Sequence, residues 1–201
     1  MNKAEYEKIK GLEYREYCDY LKSKYGVSKY NYFTMNWKRI SRVSRTKEGL
    51  VVHHIYEDQA IRLSDVEFAE KHPYEWQQAE NLVYCDYLEH LYLHILICEQ
   101  AVKKQQTDKT LGLGGIIKYI APELNDVYSG WKTKQEWRSK CHSLIVKEKA
   151  LYLELLKRLH VSAKKYPGYR KEMLCESKSD GYGWSRDKNI GIIFAIRAML
   201  R

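Results

Sequence analysis

From about Asp86 to Lys103 the chain repeats apolar residues at helical spacing, with Leu88, Leu91, Ile95 and Cys98 on one face. A helix with such a stripe has to bury it against neighbouring elements, and most of the chain offers elements of the same kind. Tyr6 to Tyr25 reads as one or two helices, with Gly11 as a break and Gly26 as a stop. Lys134 to Val161 reads as the longest amphipathic helix, carried by Trp137, Cys141, Leu144, Ile145, Leu151, Leu155 and Leu159. Ile190 to Leu200 reads as an apolar last helix. Against this background two short apolar runs look like strands: Leu50 to Ile55 (LVVHHI) and Asn81 to Cys85 (NLVYC). Between them, short helical turns are expected near Val66 to Lys71 and after Pro73. The expected fold is mainly α with a small strand pair embedded in it, an α+β chain.

At 201 residues, 44% hydrophobic and 30% charged, the chain suits one domain with a buried core and is too apolar to be disordered. No apolar run approaches the roughly 20 residues needed to span a membrane. The opening MNKAEYEKIK lacks the apolar segment of a secretory signal. Cys18, Cys85, Cys98, Cys141 and Cys175 are odd in number, scattered and never spaced C-x2-C. That speaks against a disulfide framework and a thiolate zinc site, and for a reduced cytoplasm with no membrane partner.

The net charge of +9 points to a polyanion, with nucleic acid the first candidate. Six basic residues and no acidic one lie between Lys29 and Lys47. Lys38, Arg39, Arg42, Arg45 and Lys47 are the expected phosphate contacts, interleaved with Tyr30, Tyr32, Phe33 and Trp37, whose faces suit bases. Lys164 to Lys171 (KKYPGYRK) is a second, smaller patch of this kind, and Ser177 to Asn189 reads as a polar loop. Gly112 to Gly115 (GLGG) reads as a turn. It lacks a following G-K-[ST], so it is no P-loop.

Four of the seven histidines fall in an ordered pattern with an asparagine: His53-His54, Asn81, then His90 and His94. His90 and His94 are four apart on the expected helix, so they share a face suited to a divalent metal. The intervening residues are H-L-Y-L-H, not H-E-x-x-H, which excludes a zinc-protease reading. On a strand, His53 and His54 point to opposite sides. One can ligate while the other activates a water, and spacing alone leaves open which does which. Asn81 could orient a histidine ring and fix its tautomer. Glu57 and Asp58 could each add a ligand, although a capped turn is the preferred reading. His72, His142 and His160 read as structural or exposed.

The run LVVHHI followed by ENLVYCDYLEHLYLHI resembles the ββα-metal (His-Me finger) motif of the HNH endonucleases. The intervals are 27 residues from His54 to Asn81, nine to His90 and four more to His94. The first is longer than the minimal form of the motif. Carried over residue by residue, the resemblance implies His53, His90 and His94 as metal ligands, His54 as general base and Asn81 as the residue orienting it. The implied activity is hydrolysis of DNA rather than RNA with one divalent ion (Mg2+, Mn2+, Zn2+ or Ni2+), in a restriction or defence enzyme or a phage or mobile-element nuclease. The motif covers about 45 residues. Around a nuclease core at residues 50–104, residues 1–49 would form a helical region with a basic-aromatic arm. Residues 105–201 would form a helical region for DNA contact or dimerisation. The apolar last helix is the one sequence motive for a homodimer. The competing expectation is a non-catalytic nucleic-acid-binding protein whose three histidines hold structural zinc.

Overall fold

The computed structural model describes residues 1–178 and 186–201. Helix α1 (Lys3–Ile9) starts where the Asn2 side chain accepts from the Glu5 amide. Helix α2 (Tyr14–Tyr25) opens with a capping box between Glu13 and Glu16 and stops at Gly26, whose φ of +80° ends the helix. A long connection containing two short 3-10 turns leads to strand β1 (Val51–His54). After the short helix α3 (Val66–Ala69), strand β2 (Leu82–Cys85) returns antiparallel to β1, with Val51 opposite Cys85 and His54 opposite Leu82. These two strands form the one sheet among the described residues.

Helix α4 (Tyr87–Lys103) follows β2 after a single residue, Asp86, which caps it in a box with Glu89. Its expected stripe of Leu88, Leu91, Ile95 and Cys98 is completely buried. The helix lies at the centre of the main core, with α2 and β1–β2 on one side. Truncating Leu91 to alanine there should cost about 2–5 kcal/mol.

A helical segment then runs through α5 (Leu113–Gly115), a wide π turn (Ile116–Ile120) and α6 (Ala121–Tyr128). Helices α7 (Glu136–Ser143), α8 (Lys149–Ala163) and α9 (Ile190–Met199) complete the fold, with α8 packed on α4.

The single helix expected over Lys134 to Val161 is two helices. Residues 144–148 form turns, and the Tyr128 hydroxyl donates to the Ile145 carbonyl at 3.0 Å. The same carbonyl accepts from the Glu148 amide three residues on, a turn rather than an α-helical bond, and Ile145 itself is fully buried. At 17 residues, α4 is the longest helix described. Helix α9 buries Ile192 and Ile196 but leaves Phe194 65% exposed. Residues 179–185 of the polar loop expected from Ser177 to Asn189 lie outside the described residues. Its last four residues, Arg186–Asn189, form a 3-10 turn. All five cysteines are free and buried, and no described helix is long and apolar enough to cross a membrane.

Candidate metal centre

The strand pair and α4 set the site. Successive residues of β1 face opposite ways, so His53 turns toward α4 while His54 turns toward the β1–β2 connection. The His53 ring lies 5.3 Å from both the His90 and His94 rings, centroid to centroid. His54 packs instead edge-on to Tyr32, at 4.4 Å. On α4, His90 and His94 are one turn apart, with their Nε2 atoms 3.2 Å from each other. Beyond β1 the chain closes into a 3-10 turn (Ile55–Asp58), which brings the Glu57 carboxylate between the two histidine groups. Glu57 Oε2 is 3.6 Å from His53 Nδ1 and 3.3 Å from His94 Nε2, while Oε1 is 3.6 Å from His54 Nδ1. One ligand atom from each of His53, Glu57, His90 and His94 lies within 4.8 Å of the others, so the group could hold a metal ion.

Hydrogen bonds behind the rings decide which nitrogen of each carries the proton. Tyr14 has one hydroxyl proton and donates it to the Ile55 carbonyl at 2.8 Å. Its oxygen therefore accepts from His53 Nε2, also at 2.8 Å, leaving Nδ1 as the bare lone pair. That Nδ1 is buried and has no hydrogen-bond partner. The Gly112 carbonyl can only accept, so His94 donates to it from Nδ1 at 3.1 Å and presents a bare Nε2 to Glu57 and His90. Two glycines permit this approach. A Cβ on Gly112, whose φ is +73°, would lie 2.5 Å from the His94 carbonyl oxygen, and one on Gly115 would lie 2.6 Å from His94 Cε1.

Part of the geometry matches a cation site. A tetrahedral ion with bonds of about 2.0–2.1 Å has ligand atoms about 3.3–3.4 Å apart; three of the pairs here are 3.2, 3.3 and 3.6 Å apart, and the whole set of four lies within 4.8 Å. The bare His53 Nδ1 and His94 Nε2 both face the Glu57 carboxylate, and such lone pairs repel unless a positive charge lies among them. Burial pushes the His53 imidazole down to about 3 and holds His90 well below the usual range, so both are neutral at physiological pH. Burial works against the Glu57 carboxylate, but the contacts with His53, His54 and His94 outweigh it and keep the carboxyl well below its usual value. Neutral His53 and His90 beside the Glu57 carboxylate need lose no proton to meet a cation at neutral pH.

His54 stands outside this set. The buried Gln77 amide donates from Nε2 to the Leu63 carbonyl at 3.2 Å, so its Oε1 accepts from His54 Nε2 at 3.0 Å. His54 Nδ1 is again a buried lone pair without a hydrogen-bond partner.

The residue orienting His54 is thus Gln77, and Asn81 does not reach it. Because His54 pairs with Leu82, Asn81 lies one residue beyond the strand end. Its side chain turns back to donate to the Glu75 carbonyl at 2.7 Å, bracing the loop. Glu57 belongs to the cluster, in place of the capped turn preferred from sequence, whereas Asp58 pairs with Arg15 and Gln100. A glutamate four residues after His53 was the available signal. Nothing local marks Gln77, Tyr14 or the two glycines.

The cluster is reached from a cleft of about 1000 Å3 whose lining includes Glu57, His90 and His94. Of the five basic residues expected to touch nucleic acid, only Arg39 lines it. Lys38 and Lys47 are exposed elsewhere, and Arg42 lies over the Tyr30 ring. Arg45 is bound to Glu48 and the Tyr25 carbonyl. The interleaved Tyr32 and Phe33 are buried in a small core with Val43, Ala69 and Leu82. Comparisons with family models, curated proteins and solved structures found no match. The functional reading therefore rests on this geometry and the sequence pattern.

Proposed function

We propose that the chain is a metal-dependent endonuclease of the HNH type, acting on DNA phosphodiester bonds, with β1, β2 and α4 as its ββα-metal motif. One observation carries the reading. Three histidines and a glutamate converge from β1, the turn after it and α4, while a fourth histidine on the opposite strand face is held in the tautomer that keeps its lone pair free. A purely structural metal site has no use for that fourth, separately oriented imidazole.

His53, Glu57, His90 and His94 would hold the divalent ion, and Tyr14 and Gly112 fix which nitrogens face it. When bound, the ion supplies Lewis-acid stabilisation of the charge that develops at phosphorus and on the leaving oxygen. With its Nε2 proton committed to Gln77, His54 can accept a proton only at Nδ1, which makes that atom the general base toward the attacking water. Gln77 acts through His54 by holding the ring's orientation and tautomer. Imidazole nitrogen with one carboxylate suits Zn2+, Ni2+ or Mn2+ better than Mg2+, which prefers oxygen.

The test is cleavage of supercoiled plasmid with each of these four metals in turn, beside EDTA and His54→Ala controls. Metal-dependent nicking or linearisation that His54→Ala loses by at least about 100-fold, the low end for general-base catalysis, supports the proposal when the variant still binds the metal. Equal cleavage by the variant removes His54 from the chemistry. No cleavage with any metal, of DNA or RNA, leaves the structural-zinc reading.

A further inference from the structure

The cleft above the metal centre has a mouth of mixed character. Its walls come from the loop after β1, with Ile61 and Arg62, from the start of α3, with Val66, and from the segment around the π turn, with Lys118 and Tyr119; Arg39 enters from the connection before β1. Ile61, Val66 and Tyr119 are 45%, 38% and 44% exposed. The cations are spread over three separate segments. Arg62 lies flat on Phe68 at 3.8 Å and pairs with Asp65, Arg39 lies 3.3 Å over Tyr32, and Lys118 is exposed. Among the residues lining it, His94 is buried.

From this arrangement we infer that the cleft takes a single strand of DNA in preference to an intact duplex. Arg39, Arg62 and Lys118 would contact phosphates, and Tyr119, with Ile61 and Val66, would contact base faces. The inference rests on the nuclease reading for the fate of the strand and for the need to bring a phosphate down to the recessed ligands, and on the cleft's lining for the rest.

Three physical points favour a single strand. A duplex turns its phosphates and sugars outward and stacks its base faces inside, so exposed apolar side chains at the mouth would gain little from it. An unpaired strand offers a π face at every base, together with its phosphates. A cleft of about 1000 Å3 is also at the upper end for small-molecule sites, roughly 300–1,000 Å3, which admits a few nucleotide units. The recessed ligands require the reacting phosphate to come down into the cleft, and a lone strand can do this without unpairing.

The test uses one labelled oligonucleotide sequence as single-stranded DNA, blunt duplex, duplex with an unpaired tail, and single-stranded RNA. Binding is read by anisotropy with metal-loaded His54→Ala, and cleavage with the wild-type chain. The single strand should bind at least about tenfold more tightly than the duplex. Tyr119→Ala should weaken it by about tenfold, the loss expected of one stacked base. Arg62→Ala should lower the slope of log affinity against log salt by about 0.7, one phosphate contact on a single strand. Wild-type cleavage should fall in the unpaired tail.

Equal or tighter duplex binding, or indifference to Tyr119→Ala, overturns the inference whatever is cut. Should His54→Ala fail to fold, preferential cutting of the blunt duplex by wild type overturns it equally. Single-strand preference without cleavage in any metal upholds this inference and removes the nuclease reading. Tighter binding of RNA overturns the choice of DNA.

Discussion

Two buried polar clusters lie about α4 and α6, and they are built on opposite principles. In the second, the Glu123 carboxylate accepts from Arg138 Nε and His142 Nε2, each at 2.6 Å, and pairs again with Arg138 Nη2. Burial opposes its ionisation, yet the His142 and Arg138 contacts outweigh it and bring its pKa down to about 2. Charge there is matched by charge and each oxygen of Glu123 has a partner. At the candidate metal centre, His53 Nδ1 and, just outside the ligand set, His54 Nδ1 are buried lone pairs with no hydrogen-bond partner, each 3.6 Å from Glu57. A satisfied buried cluster stabilises a fold and has nothing left to offer a ligand. An unsatisfied one costs stability unless a ligand fills it, and that difference sets the two clusters apart.

The comparison can be broken most directly at Glu123. Glu123→Ala leaves Arg138 and His142 buried without their carboxylate, and should cost about 3–5 kcal/mol in urea unfolding, without altering metal affinity. A change in metal affinity would mean that the two clusters are not independent.

The second break comes from adding metal. Zn2+, Ni2+ or Mn2+ at 100 times its Kd should stabilise wild type by about 2.7 kcal/mol, visible as a rise in Tm that His94→Ala abolishes. Gly115→Ala pushes a Cβ against the His94 ring, and should weaken metal binding about 10–100-fold by calorimetry.

Acid sharpens the contrast further. His53 has a folded pKa of about 3 against an ordinary 6.5, so the unfolded chain binds the proton first. Its contribution to stability is complete above pH 6.5 and is lost as pH falls toward 3, about 2 kcal/mol of it by pH 5. Glu123, lowered from 4.5 to about 2, holds its contribution until pH drops below 4.5. Metal-free wild type should therefore weaken from pH 6.5 downward, and His53→Ala should flatten the upper part of that slope. Glu123→Gln should flatten only the part below 4.5. A single slope, unchanged by either variant, would show that neither group titrates as its surroundings dictate. The smallest effect is Tyr14→Phe, which removes one buried hydroxyl at a cost of about 1 kcal/mol and frees the His53 ring to change tautomer. Metal affinity should fall more than stability.

Legibility in the sequence followed the reach of each signal. The strand within LVVHHI, the start of a helix near Asp86 and the α4 stripe are local patterns, and the structure has all three, with the strand at Val51–His54. The i,i+4 pair His90 and His94 and the strand-borne His53 come together because adjacent elements connect through one residue, Asp86. Tyr14 and Gly112 act on His53 and His94 across 39 and 18 residues, and no spacing rule links such positions. Asn81 and Gln77 are four residues apart, and no spacing rule tells which of them turns toward His54, since Gln77 sits in a turn before β2. The break between α7 and α8 was hidden because Leu144 and Ile145 keep an apolar rhythm through the turn, and the Tyr128 hydroxyl that contacts it comes from another helix.

The ligands span only residues 53 to 94, yet the groups that aim them sit on α2, before the strands, and at Gly112, after α4. Occupancy of the centre should therefore be felt along the chain in both directions from it. Amide hydrogens of α2 and of the segment after Gly112 would exchange more slowly once metal is bound, although none of those residues touches it. Chelation would reverse this, so exchange at the flanks reads the state of the centre.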